Sequence, residues 1–320
     1  MSSLGAAGCG ENNSSPARPS LPVRDPPQVS AYLDELLGLM QAASVNSRTI
    51  DWSRARTEVF AAAGAAQAFS DAYPAIETAL QTLKDFESNY RGVNGRLIGP
   101  AEGDASCTVT PDTPAIPDAI GYVKVRGCPC QGRDADQFAE TVQQDIRAAD
   151  RPGLAGWIVD LRETGGGNMW PMMAGLGPIL GEGIMGWIVY NNREYEREYR
   201  GGAALSLDEV FASVAVPYTL ITSSPKVAVL TSRNTNSAGE AIAVWFRGRP
   251  NTRSFGAPTC GHHHLLQTFR MSDGATLTLK NANNADRLKR PYAGPIYPDE
   301  IYSDPGESVN RAIAWLLGKG

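Results

Sequence analysis

Apolar side chains recur at helical spacing through the first third of the chain. Val29, Leu33, Leu36, Leu37 and Met40 share one face of a 3.6-residue period, and Ala-rich stretches follow, broken at Gly64 and Pro74. The pattern predicts a small bundle of helices over residues 29–90. Gly, Pro and Asp accumulate from 91 to 118 and mark a connection, after which short β-rich runs alternate with helices. Gly156-Trp-Ile-Val-Asp160 is a continuous apolar run ending in a charge, as expected of a strand covered on both faces. A helix over 134–149 precedes it. Lys226-Val-Ala-Val-Leu-Thr231 is a second such run, leading through the polar turn 232–236 into a helical stretch from Ser237 to Phe246. Further strands are expected at 121–125, 183–190, 253–256 and 275–279, with a closing amphipathic helix over 307–317. Alternation of this kind implies an α/β layered fold, here a helical cap subdomain over residues 29–95 followed by an α/β core over 96–320.

The first 28 residues follow neither period. Gly, Ser, Asn and Pro dominate them, as in a disordered tether. Leu4-Gly-Ala-Ala-Gly-Cys9 resembles the end of a bacterial lipoprotein signal, with Cys9 as the residue that would carry the lipid. Eight residues precede Cys9, fewer than a working signal needs, so two placements stay open: extracytoplasmic and lipid-anchored through Cys9, or cytoplasmic with a vestigial signal. The remaining cysteines, Cys107, Cys128, Cys130 and Cys260, permit disulfides in an exported protein. Cys128-Pro-Cys130 has no second pair of ligands, so a structural zinc is not expected there.

Charge narrows the choice of partner. A formal net charge of -5 over 320 residues, with no local run of Lys and Arg, supplies no basic face for nucleic acid or an anionic membrane. The most apolar windows, 176–190 and 214–230, are interrupted by Glu182 and Lys226, so no integral membrane segment is expected. A peptide or small-molecule substrate remains; oligomeric state is not legible.

Two segments carry chemistry. Ser237 stands between a strand and a helix, where free backbone N–H groups can stabilise a developing oxyanion. Ser237-x-x-Glu240 also fits a capping box, with the hydroxyl and carboxylate satisfying first-turn amides. Upstream, the strand ending at Asp160 runs into Leu161-Arg-Glu-Thr-Gly165-Gly166-Gly167-Asn168, a glycine-rich turn able to bring bare amides to a carbonyl, or simply a tight turn. It lacks the spacing of either nucleotide-binding glycine motif.

Together these segments resemble the tail-specific (C-terminal processing) protease family. Asp160-Leu-Arg162 with Gly166-Gly167 resembles its D-L-R-x-N-x-G-G turn, and Asn236-Ser-Ala-Gly-Glu240 resembles its nucleophile motif. Phe255-Gly-Ala-Pro-Thr-Cys-Gly261 resembles the segment leading to its catalytic lysine. The resemblance covers about residues 119–304, and the helices before it are similar to the nisin-resistance-protein branch, which lacks a PDZ domain. It implies a mixed-sheet, ClpP/crotonase-like α/β core with an N-terminal helical subdomain. It also implies Ser237 as nucleophile, an oxyanion hole from Ala238 and an amide of Gly165, Gly166 or Gly167, and supporting roles for Glu240, Asp160 and Arg162.

The base departs from the family pattern. The aligned lysine position holds His262, within His262-His263-His264, and the histidine of the nisin-resistance branch is replaced by Glu87 in Asp85-Phe-Glu-Ser88. An imidazole titrates near neutrality, so a Ser237-His262-Glu87 arrangement is expected, with His263 as the alternative base. No organic cofactor and no metal are needed. Three other readings fit the same residues: loop histidines on a catalytically inactive binding protein, a zinc site of His262, His264 and Glu87, and acyl transfer or hydrolysis of a small molecule in a biosynthetic pathway.

Overall fold

The computed structural model describes residues 29–85, 87–99, 115–190, 193–263 and 265–319, and two sheets organise them. One is a parallel sheet of five strands in the order β13 (Glu300–Ile301), β10 (Thr252–Gly256), β9 (Val227–Thr231), β4 (Gly156–Asp160) and β3 (Ile120–Lys124). β4 and β9 lie at its centre and every residue of each is buried. That is why they read as unbroken apolar runs. Alternate side chains serve two cores. Trp157, Val159, Val227 and Val229 join the cluster containing α4 (Arg133–Ala149), α5 (Met169–Leu180) and α6 (Ala238–Phe246). Ile158, Ala228 and Leu230 instead meet Val309, Ala312 and Leu316 of α7 (Pro305–Leu316) on the opposite face.

The second sheet is antiparallel. Its order is β2 (Leu97–Ile98), β1 (Asn89–Arg91), β12 (Thr276–Ala285), β5 (Gly183–Tyr190), β6 (Arg193–Arg200), β7 (Ala203–Ser206) and β8 (Glu209–Ser213), with β11 (Leu265–Arg270) also paired to β12. The sequence pattern does not announce β6, whose eight residues, Arg-Glu-Tyr-Glu-Arg-Glu-Tyr-Arg, are mostly charged. Its pleat nevertheless buries Arg197 and Tyr199.

The expected helical region resolves into α1 (Val29–Ala43), α2 (Trp52–Ala63) and α3 (Tyr73–Thr82). Tyr32, Leu33, Leu36, Leu37 and Met40 of α1 are buried, as the period requires. They pack with Tyr90 of β1 and with Leu277 and Leu279 of β12, so the helices share a core with the antiparallel sheet. The connection from Ile98 to Ile120 is too short to hold an inserted PDZ domain. Among the described residues no helix is long and apolar enough to cross a membrane.

Candidate active site

Ser237 begins α6 with φ 52° and ψ -113°, a left-handed conformation that costs a non-glycine residue about 1–3 kcal/mol. Cross-links from the glycine-rich turn hold it there. The Ser232 hydroxyl donates to Arg162 O at 2.6 Å, the Thr235 hydroxyl to Leu161 O at 2.8 Å, and Asn236 N–H to Thr164 O at 3.0 Å. Gly239 permits the closest approach. A Cβ there would lie 2.4 Å from Thr164 O, so the helix start could not sit against the turn with any larger residue.

Only the carboxylate half of the capping box is made. Ser237 N–H donates to Glu240 Oε2 at 3.0 Å, whereas Glu240 N–H donates to the Ser237 carbonyl and the Ser237 hydroxyl makes no cap hydrogen bond. Glu240 is fully buried and also binds the segment carrying the histidines. His262 N–H donates to Oε2 at 2.7 Å, and Gly261 N–H and the Thr259 hydroxyl donate to Oε1 at 2.6 and 2.5 Å. The Thr259 oxygen already accepts from Ile296 N–H, which leaves its proton for Glu240. Burial raises the Glu240 pKa above the ordinary carboxylate value, while these hydrogen bonds pull the other way.

The opposite wall is the turn after β4. Asp160 and Arg162 form a buried ion pair (Nε to Oδ1 2.9 Å, Nη2 to Oδ2 2.7 Å), and the Tyr122 hydroxyl donates to Asp160 at 2.8 Å. Breaking such a pair from one side costs about 3–5 kcal/mol, so these residues brace the turn. Gly166 and Gly167 have φ near +110° (110° and 109°), and a Cβ on Gly166 would lie 3.0 Å from Ser237 Cβ. Gly165 N–H is spent inside the turn on Glu163 O at 3.0 Å. The N–H groups of Gly166, Gly167 and Ala238 make no backbone hydrogen bond among the described residues. Gly167 and Ala238 line the same cleft as Ser237, and a Cβ on Gly166 would lie 3.5 Å from the Ser237 hydroxyl oxygen.

The cleft at Ser237 encloses about 220 Å³ and is lined by Asn168, Met169, Trp170, His263, Leu265 and Asn284, among others. His263, not His262, shares it with the serine. The His263 ring is buried, and its Nε2 lies 2.9 Å from Gly294 O. A carbonyl only accepts, so Nε2 carries a proton in this contact, and Nδ1 is the ring nitrogen that Gly294 does not engage. The half-buried His262 instead has its Nδ1 3.6 Å from Cys260 Sγ. His264, Cys9 and Cys107 lie outside the described residues. A zinc site would have to include His264; among the described residues no group of three His, Cys, Asp or Glu side chains is gathered to hold a metal.

Glu87 approaches from the end of the helical region. Asp85 accepts from Glu87 N–H at 3.1 Å, Ser88 N–H at 2.7 Å and the Ser88 hydroxyl at 2.9 Å, and Ser88 Oγ accepts from Lys280 N–H of β12 at 3.0 Å. Burial raises the Glu87 pKa, opposed by the nearby charges of Lys280, His262 and His263. Burial lowers that of Lys280, opposed by Glu87 and Asp85.

The sequence reading missed Asn284, which donates to His263 O; Thr259, which ties Glu240 to Ile296; and the cleft residue Trp170. Thr259 lies in the quoted Phe255–Gly261 motif, which was the one signal available for it. A second cavity of about 220 Å³ lies at the other end of α6. Its acids are engaged, Asp299 by Arg247 and Ser254 and Asp286 by Tyr292 and backbone N–H groups, and it contains no part of the serine's surroundings.

Residues 119–301 match Peptidase family S41, and the chain belongs to that family. It is 29% identical over 184 residues to the nisin-resistance protein of Lactococcus lactis subsp. lactis, a match covering 57% of this chain and 55% of the relative, so the chain spans about half that protein's length. Its fold is similar to that of a lipoprotein from Streptococcus agalactiae (TM-score 0.60, 20% identity, 93% of this chain and 99% of the other). It is also similar to the photosystem II D1 C-terminal processing protease (TM-score 0.57, 15% identity, 88% and 96%).

Proposed function

We propose that Ser237 attacks the carbonyl carbon of a peptide bond while His263 Nδ1 takes its proton. The carbonyl π electrons move to oxygen, where Ala238 N–H and the amides of Gly166 and Gly167 receive the charge. Collapse breaks the C–N bond, and the imidazolium gives its proton to the departing amine. Water then attacks the acyl-enzyme with His263 again as base, releasing a carboxylate and restoring Ser237. Glu87 stabilises the transient imidazolium by its charge. Glu240 ties the nucleophile turn to the histidine segment. Met169, Trp170 and Leu265 suit an apolar side chain beside the scissile bond.

The single observation that carries this reading is the strained Ser237, its hydroxyl left out of the helix cap and set beside the glycine-rich turn in the cleft it shares with His263. The disulfide Cys128–Cys130 and the disulfide-bonded Cys260 support an extracytoplasmic placement. The test is reaction of the intact protein with a fluorophosphonate, followed by mass mapping. The expected adduct is on Ser237. A folded sample that takes no label would favour a binding protein on the same fold.

A further inference from the structure

The Cys-Pro-Cys segment has no part in the chemistry above, yet it lies against the turn that supplies the amides. The chain after β3 runs beside residues 164–168 and is bonded to them four times. The Thr164 hydroxyl donates to Val125 O at 2.6 Å and Cys128 N–H to Gly166 O at 3.2 Å. Asn168 N–H donates to Cys128 O at 2.7 Å and Asn168 Nδ2 to Cys130 O at 3.1 Å. Asn168 therefore reads the carbonyls of both cysteines at once, one through its backbone and one through its side chain. It also caps α5, accepting from Trp170 N–H at 3.1 Å. Gly167 forms a parallel bridge with Cys128, and a Cβ on Gly167 would fall 2.3 Å from Cys128 O. Nothing but glycine fits against this strap.

A disulfide joins Cys128 to Cys130. Closing a ring over one intervening residue removes rotational freedom from a three-residue segment whose two outer carbonyls must both point at Asn168. An amide of Gly166 or Gly167 can stabilise an oxyanion only if it is already aimed, because reorganisation during the reaction forfeits the gain. We infer that the Cys128–Cys130 disulfide is a positioning element of the reaction: it fixes the carbonyls that orient residues 166–168 and thereby presets the oxyanion-binding amides opposite Ser237. This rests on the proposed role of Ser237. Its consequence is redox sensitivity of turnover. A dithiol that gives two electrons and two protons to the bond leaves two cysteine thiols and its own cyclic disulfide, and the strap loses its constraint while the backbone hydrogen bonds can still form part of the time.

Two readouts test it. Amide hydrogen exchange needs no activity. In the Cys128→Ser/Cys130→Ser variant, exchange in peptides covering 164–170 should speed up about tenfold or more while α6 and β9 keep their protection. For an ester substrate, kcat should fall about 10- to 100-fold with KM within about twofold, less than the loss on deleting an oxyanion donor outright. Should the double variant be poorly folded, the same two measurements are made on the Cys260→Ser protein before and after dithiol treatment, with recovery expected on reoxidation. Unchanged exchange at 164–170, or unchanged kcat alongside a raised KM, would overturn the inference. A wild-type protein that takes no label at Ser237 but shows the exchange change would instead overturn the proposed chemistry and leave the strap as a conformational element.

Discussion

The two sheets contribute different things to the cleft. The parallel sheet delivers Ser237 and the glycine-rich turn from the carboxyl ends of its two central strands, β9 and β4, fixed by hydrogen bonds between the adjacent turns. The antiparallel sheet brings Asn284 on β12 and Lys280 behind Glu87, and the histidines arrive on the segment just before β11. The first half is held by hydrogen bonds between neighbouring turns and braced by the buried Asp160–Arg162 pair. The second is assembled from side chains, and it is there that the base proposed above resides. On the proposed mechanism a proton acceptor can change identity while the oxyanion site does not, because only the former depends on a single side chain.

If the division holds, damage to the parallel half should be the more severe. Ser237→Ala should abolish fluorophosphonate labelling and lower peptide or ester turnover by about 10⁴-fold or more, measured at saturating substrate. The base comes next: His263→Ala should cost about 10²- to 10⁴-fold in kcat, while His262→Ala stays within about threefold. Reversal of that order would return the assignment to His262. Gly166→Ala places a Cβ 3.0 Å from Ser237 Cβ at a φ of +110°. It should cost about 10²- to 10³-fold in kcat, the loss expected for one oxyanion donor, with thermal unfolding used to check the fold.

The smallest effect belongs to Glu87. Glu87→Gln keeps an acceptor and removes only charge, so kcat should drop about tenfold or less. A stability signature accompanies it. Because burial raises the Glu87 pKa above its ordinary 4.5, the folded state binds that proton more tightly than the unfolded chain does. Stability from this group is therefore greatest at low pH and declines as pH rises through the folded value. Glu87→Gln should remove that decline, which melting temperatures across the acid range would reveal.

The sequence revealed the parallel half and obscured the other for physical reasons. β4 and β9 are covered on both faces, so burial alone makes them continuous apolar runs, and the serine's strand-turn-helix setting follows from them. β6 is legible only once its neighbours are known, since Arg197 and Tyr199 turn inward from a mostly charged segment. β11 is largely exposed and carries little pattern. Which of His262 and His263 lines the serine's cleft was not legible for a related reason: alternation assigns faces only in an extended strand, and both residues precede β11, in a segment shaped by Glu240. Glu240 itself was legible as a capping residue, but its hold on that segment was not, because the contact spans 19 to 22 residues.

The central claim is that a serine fixed by the parallel sheet is served by a histidine from the other half. The most direct measurement is the rate of fluorophosphonate labelling of Ser237 as a function of pH, for the wild-type protein and for His263→Ala. The wild-type rate should rise with pH as the imidazole loses its proton, with a midpoint of about 6 to 7.5. His263→Ala should label slowly and without that inflection. An unchanged rate and midpoint in His263→Ala would contradict the account.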